Sequence, residues 1–119
     1  MRKAGKSVLI LEKSDVAGGT TAKSGGVMWI PNNRFMRDDG ESDSAGAAMR
    51  YLDALQEIDG GPAPGAAAEK RRAFVIEAPK AIDFLVEEGI KLLRGPRFWP
   101  DYYDELPGGC KTTRTVVAE

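Results

Sequence analysis

The stretch Gly5-Lys6-Ser7-Val8-Leu9-Ile10-Leu11-Glu12-Lys13 decides the fold class. Four consecutive large aliphatics, entered from Gly5 and closed by Glu12 and Lys13, have the pattern of a strand buried on both faces of a parallel sheet. A strand of that kind needs neighbours, so the chain reads as α/β. Upstream, Arg2 to Gly5 read as the last turn of a helix, with basic side chains near its carbonyl end and Gly5 as its C-cap. Downstream, residues 16–26 are rich in Gly, Thr and Ser, which favours exposed backbone amides in a loop with room for one helical turn.

Beyond that loop, Val27 to Ile30 reads as a short strand stopped by Pro31 and two asparagines, and residues 34–40 as polar connection. Ala45, Ala48, Met49, Leu52 and Leu55 fall at helical spacing, which predicts a helix over Ser42 to Ile58. The turn-rich Gly60 to Gly65 breaks the chain before a second helical region, Ala66 to Glu88, with Phe74, Ala78, Ile82, Leu85 and Val86 on one side. Pro79 lacks an amide hydrogen and is expected to kink this region or to start a new helix near Ala78. Ile90 to Leu93 reads as a strand, and residues 95–103 hold four of the nine aromatics among prolines that forbid a regular helix. Residues 116–119 read as the beginning of another strand, so the chain is expected to be a piece of a larger domain.

Composition narrows the chemistry. One domain at most fits 119 residues, and Leu, Ile, Val and Phe together supply only 25 of them, a thin core for independent folding. Seventeen basic against eighteen acidic residues leave a net charge of −1, with no field to attract nucleic acid. Lys70, Arg71 and Arg72 read as a solvated helix face. With no histidine, His-based triads and the commonest zinc ligand are unavailable, and the single Cys110 allows neither an internal disulfide nor a cysteine metal cage. No run approaches the ~18 apolar residues of a membrane span, and the amino-terminal apolar run is too short for a signal peptide, so a cytoplasmic protein is expected.

Two phosphate-binding readings can be tested. A Walker A loop fails on Gly19-Thr-Thr-Ala-Lys23-Ser24, because Ala22 and Ala17 stand where both glycines must be. Glu12 fits better, as the acid at the carboxyl end of a dinucleotide-binding strand, where it would accept ribose hydroxyls; a solvated strand end is the alternative. The Gly-x-Gly-x-x-Gly loop of such a fold lies about 20 residues earlier, and only eleven residues precede Glu12, so that loop is not in the chain. Residues 17–21 and 24–26 could offer amides to a pyrophosphate or a flavin edge, or could form a tight turn that binds nothing.

Val8 to Lys13, Gly18-Gly-Thr-Thr-Ala22, Ser24-Gly-Gly-Val-Met-Trp-Ile-Pro-Asn-Asn33 and Trp99-Pro-Asp-Tyr-Tyr103, in that order and spacing, resemble FAD-dependent 3-ketosteroid dehydrogenases. The Glu-Lys and Gly-Gly elements are shared with the wider fumarate reductase and succinate dehydrogenase flavoproteins. The Trp-Ile-Pro-Asn-Asn and Trp-Pro-Asp-Tyr-Tyr stretches are narrower.

The resemblance implies a partial Rossmann-like FAD-binding domain with a parallel strand, a glycine-rich loop and two or three helices. Residues 1–33 would contact FAD, 42–88 form a helical region, and 90–119 a substrate-side aromatic loop. Glu12 would bind the adenosine ribose and Lys13 lie beside the adenosine. Gly18, Gly19, Thr20, Thr21, Ser24, Gly25 and Gly26 would contact the pyrophosphate and isoalloxazine. In the family a hydride passes from the steroid ring to the flavin while a tyrosine takes the adjacent proton. Tyr102 occupies the place of the tyrosine that assists that base; without the resemblance it reads as an aromatic plug under a proline-rich loop. The implied partner is a small hydrophobic ring ketone such as a steroid; separately, the unpaired edge of the Val8 to Leu11 strand predicts self-association. A non-catalytic helix-pair module and a fumarate reductase-like piece stand as alternatives.

Overall fold

The computed structural model describes residues 4–58, 60–61 and 67–119. The basic Arg2 and Lys3 and most of the break at 60–65 lie outside the described residues. In chain order the elements are α1 (Gly19–Lys23), β1 (Met28–Trp29), α2 (Arg34–Asp38), α3 (Ala45–Ile58), α4 (Ala68–Glu87), β2 (Leu92–Arg94) and β3 (Thr115–Ala118).

The three strands form one sheet in the order β1-β3-β2, and both pairings are antiparallel. Val116 is the hinge of the register, standing opposite both Met28 and Arg94. The apolar core gathers Ile30, Ile82, Leu92 and Val116, with Met28, Phe35, Ala78 and Leu85 packed around it. One face of α4 therefore lies on the sheet, and α3 packs on α4.

Two expectations are corrected. Val8 to Leu11 is not a buried parallel strand: it forms no ladder, and Leu9, Ile10 and Leu11 are 82–86% exposed. A run apolar on both faces needs flanking strands and covering helices, and none of the described residues supplies them. Pro79 does not start a new helix; α4 runs through it. The amide bond that Pro79 forgoes is offset by burying Val75, Pro79 and Ile82 on one face of the helix.

One element was read as connection. Residues 34–38 form a helix because Asn33 caps it: its Oδ1 accepts from the Met36 amide at 3.1 Å while its own backbone stays extended. Asn33, four residues beyond the end of β1, starts α2. Its Nδ2 donates to the Ile30 and Arg114 carbonyls, which ties this corner to the sheet.

Candidate functional site

The expected cofactor residues all lie in the exposed segment 12–26. Glu12 Oε1 accepts from the amides of Lys13 at 2.8 Å and Ser14 at 3.0 Å. Those two amides, Ser14 foremost, hold the Glu12 carboxyl below the usual glutamate range. Gly18, at φ 114°, is the N-cap of α1 and offers no side chain to it. Among the described residues the amides of Gly19, Thr20 and Thr21 meet no acceptor. A Cβ at Gly18 would stand 2.5 Å from that of Ala22, so the turn admits only glycine there. Ser24 closes α1, its Oγ donating to the Thr21 carbonyl and accepting from Gly26 N–H. Glu12 and Lys13 thus precede a glycine turn that presents amides, while Gly25 and Gly26 lead out of it toward β1.

Tyr102 lies elsewhere, on the loop between β2 and β3, and it is fully exposed. The plug reading is therefore overturned. The loop borders a cleft of about 860 Å³ whose walls include Trp29, Leu52, Leu55, Phe98, Trp99 and Tyr102. Tyr51, buried yet forming part of its wall, has its phenol raised above the ordinary value by desolvation. Its Oη accepts from the Tyr103 amide at 3.4 Å.

Behind the cleft is a buried ionic cluster absent from the expectations. Arg114 forks onto Asp43 through Nε (2.9 Å) and Nη2 (2.7 Å), and its Nη1 donates to Asp101 Oδ2 at 2.7 Å. Nη2 also donates to the Gly108 carbonyl at 2.8 Å. The guanidinium lies 5.5 Å from the Trp29 ring centroid and 5.7 Å from that of Tyr51. Asp101 accepts twice more, from Trp29 Nε1 at 2.6 Å and from the Cys110 amide at 2.9 Å. Asp43 receives the amides of Asn32 and Ser44, both at 2.8 Å. Burial tends to raise the Asp43 carboxyl, but the Arg114 bonds and charge, with these two amides, outweigh it and hold it below the usual range.

A sequence signal for this cluster exists in hindsight. Arg114 leads directly into the buried strand residue Val116, and a cation entering a core requires a paired carboxylate. Which carboxylate, 13 or 71 residues away, no local pattern says.

The exposed glycine turn leads into the short strand β1, and Val27 just before that strand and Trp29 within it line the aromatic cleft. The model of the FAD binding domain family matches residues 1–118, and the chain belongs to that family. Among relatives, the 3-oxosteroid 1-dehydrogenase of Mycolicibacterium smegmatis is 39% identical over 113 residues, which cover 94% of this chain and 19% of that protein. The 4-oxocyclohexanecarboxylate 2-dehydrogenase of Sinomonas cyclohexanicum is 38% identical over 119 residues, covering 98% of this chain and 19% of that protein. The crystal structure of 3-ketosteroid delta1-dehydrogenase from Sterolibacterium denitrificans, in complex with 1,4-androstadiene-3,17-dione, superposes with a TM-score of 0.76 at 36% identity, over 97% of this chain and 19% of that one. The chain spans about a fifth of the length of the relatives it matches. FAD is the cofactor of the family, and no helix among the described residues is long and apolar enough to cross a membrane.

Proposed function

We propose that this chain supplies the adenosine-side loop and one substrate-side loop of an FAD-dependent dehydrogenase that desaturates a ring beside a ketone, as in a 3-ketosteroid. The observation that carries the reading is Tyr102: a fully exposed phenol on the rim of an aromatic cleft, in a chain 36–39% identical to ring-ketone dehydrogenases.

The residues present fit the cofactor. The amides of Gly19 to Thr21 meet no acceptor among the described residues, and an anion such as pyrophosphate would satisfy them. The exposed Glu12 carboxylate, whose Oε1 accepts from the Lys13 and Ser14 amides, would accept from ribose hydroxyls as well. Lys13 would lie by the adenosine, and Thr20, Thr21, Ser24, Gly25 and Gly26 along the pyrophosphate and ring edge. In this reading Val8 to Leu11 is a strand of a Rossmann-like parallel sheet completed by segments other than the described ones. The functional division is residues 1–33 for FAD, 42–88 for support and 90–119 for substrate.

FAD, when bound, supplies a hydride acceptor. The chain's own part is to bind, orient and hold a proton. Trp29, Phe98 and Trp99 exclude water from one side of a flat apolar ring. Tyr102 Oη donates a hydrogen bond to the group that takes the proton beside the ketone. Replacing Tyr102 by Phe in the FAD-loaded enzyme should lower turnover by ~10²- to 10⁴-fold with FAD content unchanged. Undiminished turnover rejects the assignment. In the helix-pair alternative, α3 and α4 bury Ala48, Val75 and Ile82 within the chain yet leave Phe74, Ile76 and Phe84 more than two-fifths exposed, so it is the family membership and not the packing that favours the dehydrogenase reading.

A further inference from the structure

The geometry points to Arg114, acting through Asp101 and Trp29, as the positioning residue that presents Tyr102 to the cleft. This rests on the reading of Tyr102 given above and adds residues to it. Tyr102 has no packing of its own: its side chain is fully exposed, so the backbone on either side must set where the phenol stands.

That backbone is gripped on both sides. On the amino side, Asp101 is 5% exposed and its carboxylate is filled by three donors, Trp29 Nε1 (2.6 Å), Arg114 Nη1 (2.7 Å) and the Cys110 amide (2.9 Å). The Asp101 amide in turn donates to the Cys110 carbonyl at 3.0 Å, so residues 101 and 110 close the loop on each other. On the carboxyl side, the Tyr103 amide donates to Tyr51 Oη. Both grips converge on one cation, because Arg114 bonds Asp101 and lies against the rings of Trp29 and Tyr51. Arg114 is itself fixed by its fork onto Asp43. A guanidinium can bridge two carboxylates in one plane and an ammonium cannot keep all of these bonds, so lysine is not an equivalent here. The juxtaposition also explains why two sequence stretches 70 residues apart belong together: Trp29 of the Trp-Ile-Pro-Asn-Asn stretch bonds Asp101 of the Trp-Pro-Asp-Tyr-Tyr stretch.

The test has two readouts. In the 119-residue chain, amide hydrogen exchange at Asp101, Tyr103 and Cys110 should accelerate by about tenfold or more in Arg114→Lys and in the milder Trp29→Phe, with amides inside α3 and α4 unchanged. Exchange that does not change at these three amides, or that rises equally everywhere, overturns the proposal. In the FAD-loaded enzyme, Arg114→Lys should lower kcat by about 10²-fold, the scale of a misplaced catalytic group, with KM for the ring ketone unchanged. Added to Tyr102→Phe, it should cost nothing further, whereas multiplying losses overturn the proposal. Asp43→Asn, which loosens the fork that fixes Arg114 without touching the cleft, repeats the cycle if the lysine variant does not fold. If Tyr102→Phe alone turns over normally, the catalytic reading falls and the positioning role with it. If Tyr102→Phe is impaired while Arg114→Lys is not, only the positioning role falls.

Discussion

Residues 4–26 and residues 28–119 are built on opposite terms. In the first region the hydrogen bonds among the described residues are local, joining residues close in the chain such as Glu12 with Lys13 and Ser14 and Gly18 with Ala22, and the aliphatics of Val8 to Leu11 face solvent. In the second, bonds reach across 71 and 72 positions to close a buried ionic cluster over an aromatic stack. Trp29 is the member common to both kinds of contact, stacked on Phe74 at 6.2 Å and bonded to Asp101. The contrast teaches that order in this chain follows long-range closure rather than local hydrophobicity. Its most apolar run is exposed, while a cation is 1% exposed.

The largest break in that contrast should come from Arg114→Met. It strands two buried carboxylates, whose side chains are 5% and 2% exposed, and one-sided removal of a buried pair costs about 3–5 kcal/mol. Against a domain stability of ~5–15 kcal/mol, urea melts should show the chain largely unfolded or shifted to much lower midpoint. The next effect separates two left-handed glycines. Gly108→Ala drives a Cβ into the Ala47 carbonyl of α3 at φ 81°, whereas Gly19→Ala at φ 52° meets open space. The first should cost well over the ~1–2 kcal/mol of the left-handed conformation alone, and the second no more than that, in the same melts.

Acid should act on the buried region first. The folded value of Asp43 lies below the ordinary 3.8, so its contribution is complete above that value and is lost as pH falls through the lower folded one. Melting temperature should therefore drop steeply below about pH 4, and Asp43→Asn, less stable at neutral pH, should flatten that slope. Smaller still, the exposed aliphatic run should drive concentration-dependent association. Ile10→Lys should shift sedimentation toward monomer without changing the melt, and an unchanged distribution would show that the run is not the contact. Glu12→Gln, on a side chain wholly in solvent, should leave the melting curve untouched and reduce only FAD retention in the loaded enzyme.

Periodicity and turn chemistry were legible because they are local. The spacing of Ala48, Leu52 and Leu55 identified α3 within three residues of its start, and the aliphatics at 27–30, 90–93 and 116–117 marked the three strands. The glycines and hydroxyls of 18–26 marked the exposed turn that became α1. The apolar run at Val8 to Leu11 read as a buried strand but forms no such element among the described residues, since composition states an appetite for neighbours and cannot supply them. Helix α2 was hidden because Pro31, Asn32 and Asn33 read as a turn, and only the bond from the Met36 amide shows Asn33 to be a helix cap.

By itself, then, the sequence determined the two long helices, the strand positions, the glycine turn and the family, all of which depend on residues near one another or on motifs read in order. Tertiary structure alone decided the antiparallel sheet order, the exposure of Tyr102 and the union of Trp29, Asp43, Asp101 and Arg114. The physical reason is that a buried charge constrains its partner by energy and not by spacing: Arg114 requires carboxylates somewhere, and only the folded chain says that they stand 13 and 71 residues away.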